Sequence, residues 1–402
     1  MDFFLLPSKR MKPITLLQPG RVVYGAHQWD NLSDDPLLTQ ADSLLFVVAQ
    51  PLISLLDQPV NRLTTAGHAV KILTYDHPGE PTIAYFAGLL AETMAFNPDA
   101  VVGVGGGSVL DVAKLLAALD PTRQPLETVF GRDLLVTRQR SLICVPTTAG
   151  TGSEVSPNAI LLDEASEEKR GVISYYLVPD VCYIDPVLTL SLPPRLTAET
   201  GMDALCHCVE ALTNVNAHPL VDAYALEGIR LIMGNLETAC LDGQNLDARS
   251  AMALGAYYGG LCLGPVNTTA VHALSYGLSG TFHISHGLAN AILLPAVLRF
   301  NLPLAAKKVA LLANTLGLEP KMPAGAETER VTPEVALAEA VIEAIERLSL
   351  ACGIPQRLSE LGIEEKDLPR LVDSALTVKR LLVNNVREVT GEAALALYKT
   401  LL

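Results

Sequence analysis

Five short apolar runs, 43–49, 70–75, 100–104, 142–146 and 182–185, punctuate the first half of the chain, and in each the hydrophobic residues are bunched rather than alternating. A strand with one face in water alternates apolar and polar residues; a parallel strand covered on both faces does not. Helical patterns at 81–96 and 109–119 separate some of these runs. The arrangement predicts an α/β open sheet of parallel strands.

Past Asp185 the pattern changes. Pro186, Pro193 and Pro194 punctuate a short connection, and no convincing strand follows it. The clearest helix has Thr332 as N-cap and Pro333 at its first position, carries Val335, Ala338, Ile342, Ile345 and Leu348 on one face, and stops at Gly353 and Pro355. Residues 318–331 read as loop. The expected plan is an α/β domain over 1–190 followed by an all-helical domain over 191–402.

With half of its residues hydrophobic and 18% charged, the chain is globular. Its 29 Lys and Arg against 43 Asp and Glu leave a formal charge of −14, the wrong sign for neutralising nucleic-acid phosphates. The richest apolar stretches, 44–56 and 101–119, are interrupted by Gln50 and Pro51, or by glycines, Asp111 and Lys114. They fall short of the roughly 18 continuous apolar residues of a membrane span. At the amino terminus the acid precedes the apolar run and the bases follow it, the reverse of a secretory signal. Seven scattered cysteines suit reduced thiols, and a cytoplasmic protein is expected.

Two loops draw attention. Residues 101–114 run from a strand through Gly105, Gly106 and Gly107 into a helix, where glycines permit positive φ and close backbone approach, so that amides at the helix start can face a pyrophosphate. A plain turn fits the same composition, since Ser108 breaks the Gly-x-Gly-x-x-Gly spacing. The second loop, Pro146-Thr-Thr-Ala-Gly-Thr-Gly-Ser-Glu154, also leaves a buried strand; its Thr147, Thr148 and Thr151 suit either contacts to a dinucleotide or local turn bonds. Both loops leave the carboxyl ends of strands, where open parallel sheets bind ligands.

In the second half, Asp203 and His207 stand four apart and share a helix face, and His272 and His286 follow. One carboxylate and three imidazoles suit Fe(II) or Zn(II), although each residue alone fits a packed or capping role. Cys206 and Cys208 could also bind a metal, but small buried core thiols are the simpler reading.

GGGSVLDVAK at 105–114, PTTAGTGSEV at 146–155, LTAETGMDALCHCVEA at 196–211 and HALSYGLSGTFHISHGLANAILLP at 272–295 occur in this order. From Val22 to its end the chain resembles the iron-containing (group III) alcohol dehydrogenase family. The resemblance implies an amino-terminal Rossmann-like dinucleotide-binding domain and a carboxy-terminal helical, metal-binding domain, a dehydroquinate synthase-like fold with the active site in the cleft. It makes Gly106, Gly107 and Ser108 the pyrophosphate loop, with Gly105 and Asp111 beside it. Thr147, Thr148, Thr151, Asn158 and Lys169 become further cofactor contacts, and Asp203, His207, His272 and His286 fall on the metal-ligand positions. The implied activity is metal-dependent, NAD(P)-linked hydride transfer between a small alcohol or aldehyde and nicotinamide, in a homo-oligomer, most simply a dimer.

The chain departs from the family at two points. Tyr276 stands where many members carry a second histidine implicated in proton transfer, and His283, absent from the usual pattern, is a candidate to share that role. The stretch 47–50, where members favouring NAD often end a strand on aspartate, closes on Gln50, so NADP is an expected cofactor beside NAD. The rival readings are a lyase or cyclase of the dehydroquinate synthase type, disfavoured by the PTTAGTGSEV loop and the lack of a basic phosphate array, and a non-catalytic relative.

Overall fold

The computed structural model describes residues 12–166, 168–319 and 332–402. The charge order of the first residues and most of the 318–331 stretch lie outside this range. Nine strands are described: β1 (Arg21–Tyr24), β2 (Ser43–Ala49), β3 (Ala69–Tyr75), β4 (Ala100–Gly105), β5 (Gly131–Arg132), β6 (Ser141–Pro146), β7 (Asn158–Asp163), β8 (Glu168–Ile173) and β9 (Val181–Ile184). Six of them form one parallel sheet in the order β1-β9-β6-β4-β2-β3. The physical reason for the bunched runs is visible in β2. Leu45 and Val47 point into one apolar layer with α3 (Ile83–Phe96) and α4 (Gly107–Ala118), and Leu44, Phe46 and Val48 into the opposite layer, beneath α1 (Pro36–Thr39) and α2 (Asp57–Thr65).

The sequence reading omits β1 and the small second sheet, in which β8 pairs parallel with β5 and antiparallel with β7. β8 reads Glu-Lys-Arg-Gly-Val-Ile, a charged opening without the pattern of a buried strand.

All strands among the described residues precede Asp185. That residue caps the connecting turn, accepting from the Val187 amide at 3.0 Å, and also accepts from the Trp29 amide at 2.9 Å. The helices that follow are α5 (Pro194–Leu212), α6 (Pro219–Leu241), α7 (Leu246–Leu263), α8 (Ala270–Phe282), α9 (His286–Leu316), α10 (Pro333–Ala351), α11 (Leu368–Thr377), α12 (Lys379–Leu382) and α13 (Gly391–Thr400). Thr332 caps α10 as expected, its Oγ1 accepting from the Val335 amide. α5 is the central helix; Met202, Leu205, Val209 and Leu212 are buried, and so are Cys206 and Cys208. Burial pushes both thiols up, that of Cys208 to about 12, which leaves them as neutral core groups.

By length and composition α9 could cross a membrane, with a mean hydropathy of 1.5. Yet 72% of its apolar window is buried inside the protein, so it serves as a core helix.

Glycines join the two halves. A Cβ on Gly150 would fall 2.6 Å from Cβ of Thr200 on α5, and one on Gly152, at φ +62°, would fall 2.3 Å from Cα of Gly260 on α7. The loop after β6 therefore lies directly on two helices of the second half.

Candidate active site

Three helices converge on one carboxylate oxygen. Asp203 and His207 project from α5, His272 from the first turn of α8 and His286 from the first residue of α9. The Nε2 atoms of His207, His272 and His286 lie 3.8, 3.5 and 3.7 Å from Asp203 Oδ1. The rings of His207 and His272 stack at 4.9 Å, and His286 meets His272 edge-on at 5.1 Å. Burial alone would push the Asp203 carboxyl up, but the three imidazoles hold it well below the carboxylate range. His207 and His286 are driven down chiefly by burial, which favours the neutral, ligating form.

His272 behaves differently, because its Nδ1 donates to Glu210 Oε2. Against burial, Glu210 and Asp203 push this imidazole up to about 10. Glu210 is itself buried and fixed: its Oε1 accepts from the Thr269 amide at 3.0 Å, Thr269 Oγ1 at 2.7 Å and the Val271 amide at 2.8 Å. A carboxylate behind an imidazole sets the tautomer that turns the Nε2 lone pair toward a metal. Asn290, one turn into α9, donates from Nδ2 to Asp203 Oδ1 at 2.7 Å, and the same nitrogen lies 3.1 and 3.2 Å from Nε2 of His272 and His286.

On the rim of the large sheet, Gly105 ends β4 and Gly107 begins α4. None of the three glycines has positive φ, so the sequence expectation on that point is corrected: what they supply is room. A Cβ on Gly107 would lie 2.6 Å from Thr151 Cγ2, and one on Gly106 3.3 Å from Thr148 Cγ2, which brings the two loops side by side. Thr147 bonds through its amide to the Gly105 carbonyl at 3.0 Å. No side chain caps α4, and its first turn carries no acid, leaving its leading amides for an anion.

Ser108 stands in that first turn, its Oγ 3.4 Å from the Gly79 carbonyl. Asn158 opens β7 with a buried Oδ1 that has no partner among the described residues. Both carboxylate oxygens of Asp111 are engaged within the protein: Oδ2 accepts from the Ile160 amide at 2.9 Å and Oδ1 from Ser153 Oγ of the second loop. With buried Lys114, which donates to the Ser153 carbonyl at 2.8 Å, it braces the second loop from beneath.

Tyr276 lies one turn beyond His272, its ring 6.4 Å from that of His286. β8 delivers Lys169 Nζ to 5.0 Å from the Tyr276 ring centre, where Lys169 also pairs with Glu80. From the far side Arg380 of α12 donates to the Tyr276 hydroxyl at 2.7 Å. His283 takes no part in this cluster. It is exposed, at φ +54°, and closes α8 by donating its amide to the Leu278 carbonyl. Among the described residues no hydrogen bond or ring contact joins it to the four ligand candidates.

A family profile described as iron-containing alcohol dehydrogenase matches residues 19–186, and one described as the C-terminal part of that family matches 197–402. The chain belongs to the iron-containing alcohol dehydrogenase family. It is 38% identical over 348 residues to long-chain-alcohol dehydrogenase 1 of Geobacillus thermodenitrificans, covering 85% of each chain. It is 32% identical over 357 residues to sulfoacetaldehyde reductase of Bilophila wadsworthia, covering 88% of this chain and 90% of that one. Its fold superposes on 1,3-propanediol oxidoreductase with a TM-score of 0.88 at 32% identity, over 97% of this chain and all of the other. As a member of this family it is an oxidoreductase for alcohols and aldehydes linked to NAD(H), and a divalent metal belongs to its chemistry.

The residues fit both groups. Ligand atoms of Asp203, His207 and His272 all lie within 4.8 Å of one another, with His286 Nε2 3.7 Å from the same carboxylate oxygen; two of the imidazoles are held neutral, and Asn290 Oδ1 and His286 Nδ1 are buried without partners among the described residues. The glycine cradle over α4 would be filled by a side chain at Gly107. Glu210, Asn290 and Arg380 escape a reading of residue types. Glu210 and Asn290 were within reach by helical spacing, seven residues after Asp203 and four after His286, which places each on the ligand face of its helix.

Proposed function

We propose that this alcohol dehydrogenase holds one divalent metal, Fe(II) or Zn(II), on Asp203, His207, His272 and His286, and binds NAD or NADP across the loops that follow β4 and β6. In this reading residues 1–190 carry the dinucleotide and 191–402 the metal. The observation that carries it is the approach of three imidazole nitrogens, one from the aspartate's own helix and two from the start of α8 and of α9, to within 3.8 Å of a single buried carboxylate oxygen. A metal so held supplies Lewis acidity to the substrate oxygen. Glu210 and Asn290 keep the ligand atoms oriented, and the leading amides of α4 take the pyrophosphate. Thr147, Thr148 and Thr151 orient the nicotinamide end, with Asn158 and Lys169 beside it. Tyr276, whose ring lies 6.4 Å from that of His286 and whose hydroxyl accepts from Arg380, stands in the position from which a proton relay to the substrate oxygen would run. Gln50, exposed directly after β2, puts no negative charge beside an adenosine ribose, so both cofactors are accepted.

The test is a panel of alcohols and aldehydes assayed with both nicotinamide cofactors after metal stripping and after reloading with Fe(II) or Zn(II). Stripping should abolish turnover and reloading restore it, while Asp203→Ala and His272→Ala should each lose bound metal yet keep the fold. Unchanged metal stoichiometry and activity in both variants would refute the ligand assignment. Conversion without net oxidation or reduction of nicotinamide would refute the reaction class.

A further inference from the structure

We propose that Glu199 of α5 and Ser285, the residue before α9, are positioning residues that set His286 for metal binding by clasping the start of α9 to α5. The inference rests on the metal-site reading given above and concerns how one of its ligands is placed.

The four candidate ligands are not equally supported. Asp203 accepts from Asn290, and His272 has Glu210 behind its Nδ1. His207 is shut into the middle of α5, its side chain 5% exposed. His286 has neither kind of support. Its Nδ1 has no partner among the described residues, and its side chain is 28% exposed. Where this imidazole stands is therefore decided by its backbone, at the first residue of α9.

The residues on either side of His286 are both fixed to Glu199. A serine at an N-cap ordinarily accepts from an amide of its own helix. Ser285 holds that position and makes no such bond. Its hydroxyl instead crosses to α5, donating to Glu199 Oε2 at 2.6 Å. On the other side, a Cβ on Gly287 would fall 2.2 Å from the Glu199 carbonyl oxygen, so the two helices meet main chain to main chain. Glu199 is itself buried, and its second oxygen accepts from Arg195 Nε at 2.7 Å, which leaves the carboxylate no freedom to turn. Glu199, Asp203 and His207 follow one another at intervals of four along α5. One helix face thus carries two ligands and the anchor of a third.

The experiment uses Ser285→Ala, Ser285→Thr and Glu199→Gln in the full chain. It measures Zn(II) affinity by competition with a chromophoric chelator, the visible absorption of the Co(II)-loaded protein, and melting of the metal-free form. Ser285→Ala should weaken Zn(II) binding about tenfold. Its Co(II) spectrum should change as an imidazole is lost from the coordination sphere, while the metal-free melting temperature stays within about 2 °C of the parent. Ser285→Thr, which keeps the hydroxyl, should restore most of the affinity and the spectrum. Glu199→Gln, which keeps an acceptor without its charge, should fall between. A dissociation constant for Ser285→Ala within about twofold of the parent, with an unchanged Co(II) spectrum, overturns the clasp and leaves the metal site standing. A fall in metal-free stability that matches the loss of affinity in Ser285→Ala and Glu199→Gln assigns the pair to folding and overturns the clasp as well. A parent protein that binds neither Zn(II) nor Co(II) overturns the metal-site reading, and the clasp with it.

Discussion

Glu210→Gln changes one atom behind the proposed metal site, and the structure indicates which one. Three donors converge on Oε1 at 2.7 to 3.0 Å, so the amide oxygen of glutamine keeps that position and its NH2 group takes the place of Oε2, facing His272 Nδ1. Two donors then oppose each other. The imidazole escapes by keeping its one hydrogen on Nε2, the atom 3.5 Å from Asp203 Oδ1; in the parent a metal can displace that hydrogen and leave Nδ1–H donating to Glu210, whereas in the variant the same displacement would restore the opposed donors. Outer carboxylates of this kind are typically worth about ten- to a hundredfold in metal affinity. Because both tautomer and charge change here, the upper end, about 2.7 kcal/mol, is expected. The assay is titration of metal-free protein with Zn(II) in competition with a chromophoric chelator, alongside thermal melting of the metal-free form. A dissociation constant within threefold of the parent would refute the tautomer argument. An equal loss of metal-free stability would show that Glu210 serves folding instead.

Gln50→Asp should shift cofactor preference toward NAD by about tenfold, since a carboxylate a few ångströms from an added phosphate costs about 1 to 4 kcal/mol; Ala49→Asp, at the last residue of β2, tests the neighbouring register. Strong NAD selectivity in the unmodified enzyme, as a ratio of kcat/KM values, would contradict this. Tyr276→Phe should lower kcat at neutral pH by about tenfold or more, and Tyr276→His should raise it where proton exchange limits turnover; flat pH–rate profiles in both would reduce the position to a pocket wall. Burial pushes the Glu154 carboxyl up to about 7 from its ordinary 4.5. The folded protein then holds a proton that the unfolded chain has released, so this group's contribution to stability falls as pH rises from about 4.5 to 7, by roughly 3 kcal/mol at most. Glu154→Gln should remove that slope in urea unfolding at pH 5 and pH 8, and parallel profiles for the two proteins would show that it is absent.

Parallel strands buried on both faces announce themselves by composition, which is why 43–49 matches β2 residue for residue. The β7–β8 hairpin announces nothing, because β8, the middle strand of the small sheet, opens on Glu168, Lys169 and Arg170 rather than on an apolar run. The four candidate ligands are visible as residue types, and the family resemblance groups them, whereas each taken alone fits a packed or capping role. Their supports are not visible: Glu210 looks like any helical glutamate until Thr269 and Val271 are seen folding onto it. For the glycines, residue type suggested backbone freedom, whereas the contact with Thr151 requires only the absence of a side chain. Asp111 shows the converse, a polar residue in a cofactor motif whose carboxylate is taken up by Ser153 and Ile160.

The backbone contact between Gly152 and Gly260 acts as a zero-thickness spacer. Hydride transfer is steep in donor–acceptor distance, and here the loop expected to hold the nicotinamide end rests on α7 with no side chain between them. A methyl group at either glycine would work as a shim, lifting the loop away from α7 and lengthening the hydride's path without replacing a candidate ligand or cofactor contact. The reach of the reaction is thus gauged by main-chain van der Waals radii, a tolerance tighter than flexible side chains can hold.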